Sequence, residues 1–332
     1  MPLVVITDCD HGTIAPEEAV LRAGGVEYRL HQAKTEEDVI AVAREADAII
    51  LQYAPITGRV LDGLPRCLVA VRYGVGVDTV DLAAATERGV MVANVPDYCI
   101  EEVSDHAIAM LLSLWRGVTA YDRAIRGGTW STTARPPMPR LAGRVLGVIG
   151  VGRIGAQAAR KATGLGMRVV GYDPYLSTLP AGIPRVSLDE LLQQADAITL
   201  HLPLTAESRH LINDATLRRM KPTALLVNTA RGGIVDTAAL IRALQEGRIA
   251  GAALDTLEQE PVPRDSPLLS LPNVILNPHA GWYSDQSVPE LKRKTAEIAM
   301  AVLRGQRPAS VVNPEVFASP RLRARQAILE GC

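Results

Sequence analysis

The chain has 332 residues, enough for two ordinary domains that each bury a core. Hydrophobic residues are 48% and charged residues 21%, the balance of a folded α/β protein rather than a disordered one. A formal net charge of -1, with no long basic run, argues against nucleic acid or an anionic membrane surface as a direct partner.

A strand-like segment at residues 3–7 begins almost at Met1 without a basic n-region or a cleavage site, so no secretory signal is expected. The most apolar stretch, residues 107–115, is too short to cross a bilayer. Cys9, Cys67, Cys99 and Cys332 form no CxxC pair, which fits reduced thiols in a cytoplasmic protein. Cys9 stands beside Asp10 and His11, but adjacent side chains at a strand end point apart, and no metal is expected there.

Short apolar runs at residues 4–7, 48–52, 68–71 and 90–93 read as buried parallel strands, with helical segments at 36–46 and 82–88 between them. In residues 101–115, Val103, Ala107, Met110, Leu111 and Leu114 recur at helical spacing, so one stripe of a helix is buried. Residues 127–140, with Gly127, Gly128, Pro136, Pro137 and Pro139, read as a loop. A second series of strands follows at 145–149, 168–172, 197–200, 224–228, 251–254 and 274–276, the number a doubly wound dinucleotide-binding sheet uses. Residues 289–304 form a last long helix. Too few residues remain for a third domain, so this helix is expected to return to the first one, and the Arg-rich tail from Pro314 is expected to be loosely ordered.

The run Gly150-Val151-Gly152-Arg153-Ile154-Gly155 follows a strand and opens an alanine-rich helix at residues 156–162. Gly150 permits the tight turn, Gly152 lets backbone approach a pyrophosphate, and Gly155 allows close helix–strand contact. The next strand ends at Asp173, near the ~20-residue offset at which an acidic side chain meets the ribose hydroxyls and repels a 2′-phosphate. The expected cofactor is therefore NAD rather than NADP. The expected fold is two doubly wound parallel-sheet domains, a Rossmann cofactor domain (99–287) inserted into a discontinuous flavodoxin-like substrate domain (1–98 and 288–332).

Three residues lie just past consecutive strands, on the edge where such sheets bind ligands: Arg231, Glu260 and His279. A guanidinium offers a planar fork for a carboxylate, an imidazole can give a proton, and a carboxylate beside it favours the charged imidazole. Taken singly, each is an ordinary solvated or satisfied loop residue. Their joint placement after a dinucleotide motif favours hydride transfer to a 2-oxo acid. His106 and His201 are assigned to packing around the cofactor loops, while His11, His31 and His210 show no pattern that carries a role.

From residue 3 to 313 the chain resembles the NAD-dependent D-2-hydroxyacid dehydrogenases. The resemblance rests on Arg72-Tyr73-Gly74-Val75-Gly76-Val77-Asp78, Asn94-Val95-Pro96, Val227-Asn228-Thr229-Ala230-Arg231-Gly232-Gly233, and Ala253-Leu254-Asp255 followed by Glu260-Pro261. It implies that Arg231, Glu260 and His279 are catalytic. Gly152, Arg153, Ile154, Asp173, Leu202, Pro203, Thr229, Ala230 and Asp255 would contact NAD, Asp255 at the nicotinamide carboxamide. Arg72 and the amides of Val75 and Gly76 would bind the substrate's carboxylate, with Asn94-Val95-Pro96 as a hinge. A homodimer is implied too, through the cofactor domain near residues 101–115.

Within the family, His279-Ala280-Gly281-Trp282-Tyr283-Ser284 and Tyr53 resemble the C-terminal binding protein branch, where a tryptophan at the place of Trp282 borders the substrate side chain. The expectation is reversible reduction of a small 2-oxo acid to a D-2-hydroxy acid with His279 as general acid/base. Two alternatives stand beside it. One is an NAD(H)-responsive, corepressor-like protein-binding module. The other is a D-3-phosphoglycerate dehydrogenase, from whose usual Arg-Ser pair and additional regulatory domain this sequence departs.

Overall fold

Strands whose residues are apolar on both faces must be covered on both faces, and among the described residues every pairing between the eleven strands is parallel. The computed structural model describes residues 1–134, 138–308 and 310–324. The chain divides into two compact units, Met1–Tyr98 with Ser284–Cys332, and Cys99–Tyr283.

The first unit runs β1 (Leu3–Ile6), α1 (Ala15–Ala23), β2 (Glu27–Leu30), α2 (Glu36–Ala43), β3 (Ala48–Leu51), α3 (Gly58–Gly63), β4 (Val69–Arg72), α4 (Leu82–Glu87) and β5 (Met91–Ala93). Its sheet has the order β2-β1-β3-β4-β5, the flavodoxin-like winding. Ile6, Ile49, Ile50 and Leu51 are fully buried, each stabilising the core by about 1.5–3 kcal/mol. β2, with the sequence Glu27-Tyr28-Arg29-Leu30, is an edge strand of intermediate and exposed residues, so no apolar run announces it.

The second unit runs α5 (Ile100–Arg116), α6 (Val118–Arg126), β6 (Val145–Ile149), α7 (Arg153–Gly164), β7 (Arg168–Tyr172), α8 (Leu188–Gln194), β8 (Ala197–Leu200), α9 (Asp214–Leu217), β9 (Leu225–Asn228), α10 (Thr237–Gln245), β10 (Gly251–Leu254) and β11 (Val274–Leu276). Its sheet order is β11-β10-β9-β8-β6-β7, so the winding reverses between β6 and β8. Beyond β7, Gly171 bridges Arg185 in parallel, where a Rossmann sheet would carry a further strand. The apolar stripe of α5 does bury itself, against α7 and the sheet, in a cluster that includes Met110, Leu111, Leu114, Val148 and Val227. α6 has no buried residue.

After the second unit, α11 (Ser287–Leu303) rejoins the first, packing on α1, β3 and β4. Residues 310–313 then seal the edge of β5. Val311 bridges Ala93 antiparallel, Val312 donates its N–H to the Val92 carbonyl, and buried Asn313 accepts from the Val92 N–H while donating to the Val90 carbonyl. The described part of the tail, expected to be loose, is docked instead. Arg323 donates to the carbonyls of Leu64, Cys67 and Arg88, and Leu322 is buried. A long side chain donating to three carbonyls helps satisfy backbone near the ends of helices and strands. The proline-rich segment 135–137 and the last eight residues of the tail lie outside the described residues.

Candidate active site

The carboxyl edge of the six-stranded sheet gathers every functional segment of the second unit. At the end of β6, Gly150 takes φ +87°, and a Cβ there would lie 2.6 Å from the His201 carbonyl carbon, so only glycine lets this turn sit against β8. A Cβ on Gly155 would lie 1.9 Å from the Gly150 carbonyl oxygen, so the start of α7 rests directly on the turn. Gly152 faces open space and caps α7 without any side-chain hydrogen bond. The first N–H groups of a twelve-residue helix are thus left for an anion.

Asp173, at the end of β7, is buried and organises this cradle. Its Oδ2 accepts from the Val151 N–H at 2.7 Å, and its Oδ1 accepts from the Tyr175 and Leu176 N–H groups at 2.8 and 3.0 Å. At the end of β8, the enclosed ring of His201 is held neutral by burial, its pKa pushed down to about 4, with Nε2 3.0 Å from Thr199 Oγ1. Leu202 is buried behind Gly150, and the Pro203 carbonyl accepts from Ser208 Oγ at 2.7 Å. Among the described residues, the buried hydroxyls of Thr229 and Thr256 and Nδ1 of His201 have no protein hydrogen-bond partner. Open glycine, free helix N–H groups and orphaned hydroxyls are what a bound dinucleotide would complete.

The chemical residues come from β9, β10 and β11. Asn228 is fully buried, and its amide ties the next turn together, accepting from the Ala230 N–H at 3.0 Å and donating to the Arg231 carbonyl at 2.9 Å. That orients Arg231, whose Nη1 donates to the Ala230 carbonyl at 2.8 Å. A Cβ on Gly232 would lie 1.9 Å from the Leu257 carbonyl carbon, so this turn presses on the loop that carries Glu260. Leu257 donates its N–H to Glu260 Oε1 at 2.9 Å, leaving Oε2 2.9 Å from Nδ1 of His279.

The Glu260 carboxyl lies below the usual carboxylate range. Burial pushes it up, but the His279 contact, the Leu257 N–H and the nearby Arg231 charge outweigh burial. Arg231, Glu260 and His279 therefore share one electrostatic site.

His279 stands at φ +55°, a left-handed conformation that costs a non-glycine residue about 1–3 kcal/mol unless its surroundings impose it. Asp255 imposes it. Its carbonyl accepts from the His279 N–H at 2.8 Å, and its carboxylate accepts from the Ala280 and Gly281 N–H groups at 2.8 and 2.9 Å. A Cβ on Gly281 would come within 2.8 Å of that carboxylate. His106, from α5, places Nε2 3.4 Å from Asp255 Oδ1 and 2.9 Å from Asn277 Nδ2. Burial raises the Asp255 carboxyl, but His106 and the two amides bring it below its ordinary value. Trp282 closes the turn, its indole N–H donating to the His279 carbonyl at 2.9 Å.

The substrate-loop residues foreseen in the sequence belong to the first unit. Gly74 takes φ +118° beside the Arg72 guanidinium, and Asn94 donates to the Val75 carbonyl at 2.6 Å, bracing residues 74–76. Asn228, Gly232, Gly281 and His106 received no chemical role from the sequence. The first three were visible as members of quoted motifs, whereas the pairing of His106 with Asp255 crosses 149 positions and no local signal carries it.

A nucleotide cradle at a winding reversal, beside a histidine–carboxylate pair and a guanidinium, defines a dinucleotide-dependent oxidoreductase. Residues 108–281 match the model for the D-isomer specific 2-hydroxyacid dehydrogenase, NAD binding domain, and the chain belongs to that family of NAD-dependent enzymes. It is 42% identical over 285 residues to a glyoxylate reductase of Korarchaeum cryptofilum, covering 84% of this chain and 86% of the relative. It is 39% identical over 284 residues to a D-3-phosphoglycerate dehydrogenase of Methanocaldococcus jannaschii, covering 84% of this chain but only 54% of that longer protein. The crystal structure of a D-lactate dehydrogenase from Aquifex aeolicus with NAD and lactic acid superposes with a TM-score of 0.84 at 29% identity, over 93% of this chain and 99% of that one. Among the described residues, no helix is long and apolar enough to cross a membrane, and no group of three or more His, Cys, Asp or Glu side chains could hold a metal ion.

Proposed function

We propose that this protein reduces a small 2-oxo acid to the D-2-hydroxy acid, with His279 as proton donor, Glu260 as its orienting partner and Arg231 as the fork for the carboxylate. The observation that carries the reading is the 2.9 Å His279–Glu260 contact, formed at a left-handed histidine under the influence of Arg231. NADH supplies the hydride when bound. Because Nδ1 is committed to Glu260, Nε2 is the nitrogen left to hold or release a proton. Arg231 would fix the acid in one orientation, since a guanidinium fork matches a carboxylate plane.

Arg72 and the amides of Val75 and Gly76 are proposed as further carboxylate contacts, and Trp282 as the border of the substrate's side chain. Arg153, Ile154, Leu202, Pro203, Thr229, Ala230 and Asp255 are proposed to line the cofactor with the three glycines. Asp173 supports NAD over NADP. One of its oxygens already takes two N–H groups and the other takes one, which leaves a single acceptor position suited to a ribose hydroxyl and hostile to a phosphate. Relatives named glyoxylate reductase favour a short acid.

A homodimer through the second unit is part of the reading, supported by α6. The α5 stripe is consumed within its own unit, whereas Val118, Ile125 and the nearby Trp130 are exposed, Trp130 at 88%. Sedimentation giving a monomer at micromolar concentration would remove that element.

The deciding experiment follows NADH oxidation with glyoxylate, hydroxypyruvate, pyruvate, phenylpyruvate and 4-methylthio-2-oxobutyrate. Turnover of at least one short acid, with the D product from hydroxypyruvate, is expected. Tight NADH binding without turnover of any of them would overturn the proposal.

A further inference from the structure

In the loop at residues 255–263, Asp255 and Thr256 are buried, but the tip that carries Glu260 is not. On one side, the Gly232 turn presses against Leu257. On the other lies a hollow of about 360 Å³ lined by Thr237, Leu257, Glu258, Val262, Pro263 and Leu268. Residues 258–261 are exposed. A loop whose tip is exposed beside an open hollow needs a tether if its carboxylate is to stay in register.

Glu258 supplies one. Its Oε1 accepts from His210 Nε2 at 2.5 Å and its Oε2 from the Thr237 N–H, the first residue of α10, at 3.1 Å. Burial raises the Glu258 carboxyl, but His210 and Thr237 more than compensate and hold it below the usual range. His210 is itself fixed in a left-handed conformation, φ +51°. Its N–H donates to the Gly233 carbonyl at 2.9 Å, and Asn213 Nδ2 donates to the His210 carbonyl at 2.9 Å. One carboxylate thus ties the Glu260 loop to α10 and, through His210, to the turn that follows Arg231.

We propose that Glu258, held by His210, is a positioning residue for the dehydrogenase reaction, fixing Glu260 against His279. The inference rests on the proposed roles of Glu260 and His279, and a double-mutant cycle separates the two. Glu258→Ala should lower kcat about tenfold, the scale of a modest misplacement of a catalytic group. The Kd for NADH, read by fluorescence, should stay within about twofold, because Glu258 acts on Glu260 and not on the nucleotide cradle. Glu258→Gln should recover most of the activity, since its amide oxygen still accepts one of the two donors. His210→Leu should reproduce the Glu258→Ala loss from the other side of the contact. In a Glu260→Gln background, Glu258→Ala should cost nothing more, whereas a merely structural role would cost the same factor in both backgrounds.

Wild-type kcat for Glu258→Ala with Glu260→Gln impaired would overturn this inference alone. An additive cycle, or a loss of NADH affinity matching the loss of kcat, would do the same. Wild-type activity for Glu260→Gln would overturn it together with the reading it rests on.

Discussion

Replacing Glu260 by glutamine changes one atom and tests the site's hydrogen-bond logic. The native carboxylate accepts from two donors, the Leu257 N–H through Oε1 and His279 Nδ1–H through Oε2. Glutamine has a single acceptor oxygen. If it stays on the Leu257 N–H, its NH₂ faces Nδ1, which must then give up its proton, and an imidazole protonated only on Nε2 is a poor acid. If the amide flips, the Leu257 N–H meets a second donor and the loop shifts. Either way a charge-assisted hydrogen bond worth about 1.5–3 kcal/mol is lost. The glutamate side chain is 40% exposed, so solvent screening favours the lower half of that range. At 1.36 kcal/mol per decade, kcat/KM should fall about 10–40-fold. Initial rates of NADH oxidation with glyoxylate and hydroxypyruvate measure this directly, with NADH affinity as the control. Unchanged kcat/KM on both acids would refute the orienting role of Glu260.

Other outcomes follow from the same geometry. His279→Ala should lose about 10²–10⁴ in kcat while NADH binding holds, by rapid-quench or steady-state kinetics, and a smaller loss would demote the imidazole. Asp173→Ser should narrow the preference for NADH over NADPH, read as a ratio of kcat/KM values; a widened ratio would contradict the assignment. For His201, burial lowers the folded-state pKa to about 4 from an ordinary value near 6.5, so between those values the unfolded chain binds the extra proton. Its stabilising contribution is complete above about pH 6.5, is lost as pH falls toward 4, and amounts to at most about 3 kcal/mol. Urea titrations at several pH values should show a His201→Gln variant with a shallower fall over that window. Lys292→Met leaves the fully buried Glu17 without the ammonium 3.5 Å away and should cost about 3–5 kcal/mol, visible as a large drop in Tm.

The buried strands were legible because a sheet covered on both faces writes itself as apolar runs, and the boundaries read from residues 145–149 and 168–172 coincide with β6 and β7. β2 was not legible, because an edge strand reading Glu-Tyr-Arg-Leu carries no such run. The docking of Arg323 was hidden for another reason. A basic tail reads as solvated until the carbonyls of Leu64, just after α3, Arg88, just after α4, and Cys67, just before β4, are seen to converge on it. At the site, Gly150, Gly152 and Gly155 carried their spacing in the sequence. That Asp255 holds His279 in a left-handed turn, or that Glu258 reaches His210, depends on contacts between segments far apart in the chain. Side-chain partners at such separations are set by topology, which local patterning does not encode.

Asn313 and the neighbouring residues 310–312 close β5, while Met1–Tyr98 supplies the rest of that sheet, so the first unit is complete only once residues 310–313 are in place. Cys99–Tyr283, being continuous, has all its strands well before then. In synthesis order residues 99–283 precede residues 310–313, so the β5 margin stays unpaired until those residues are added, and an unpaired strand margin is a pairing hazard. Synthesis order is thereby written into the architecture, and a chain stopped short of Asn313 would carry a finished cofactor cradle beside an unfinished neighbour.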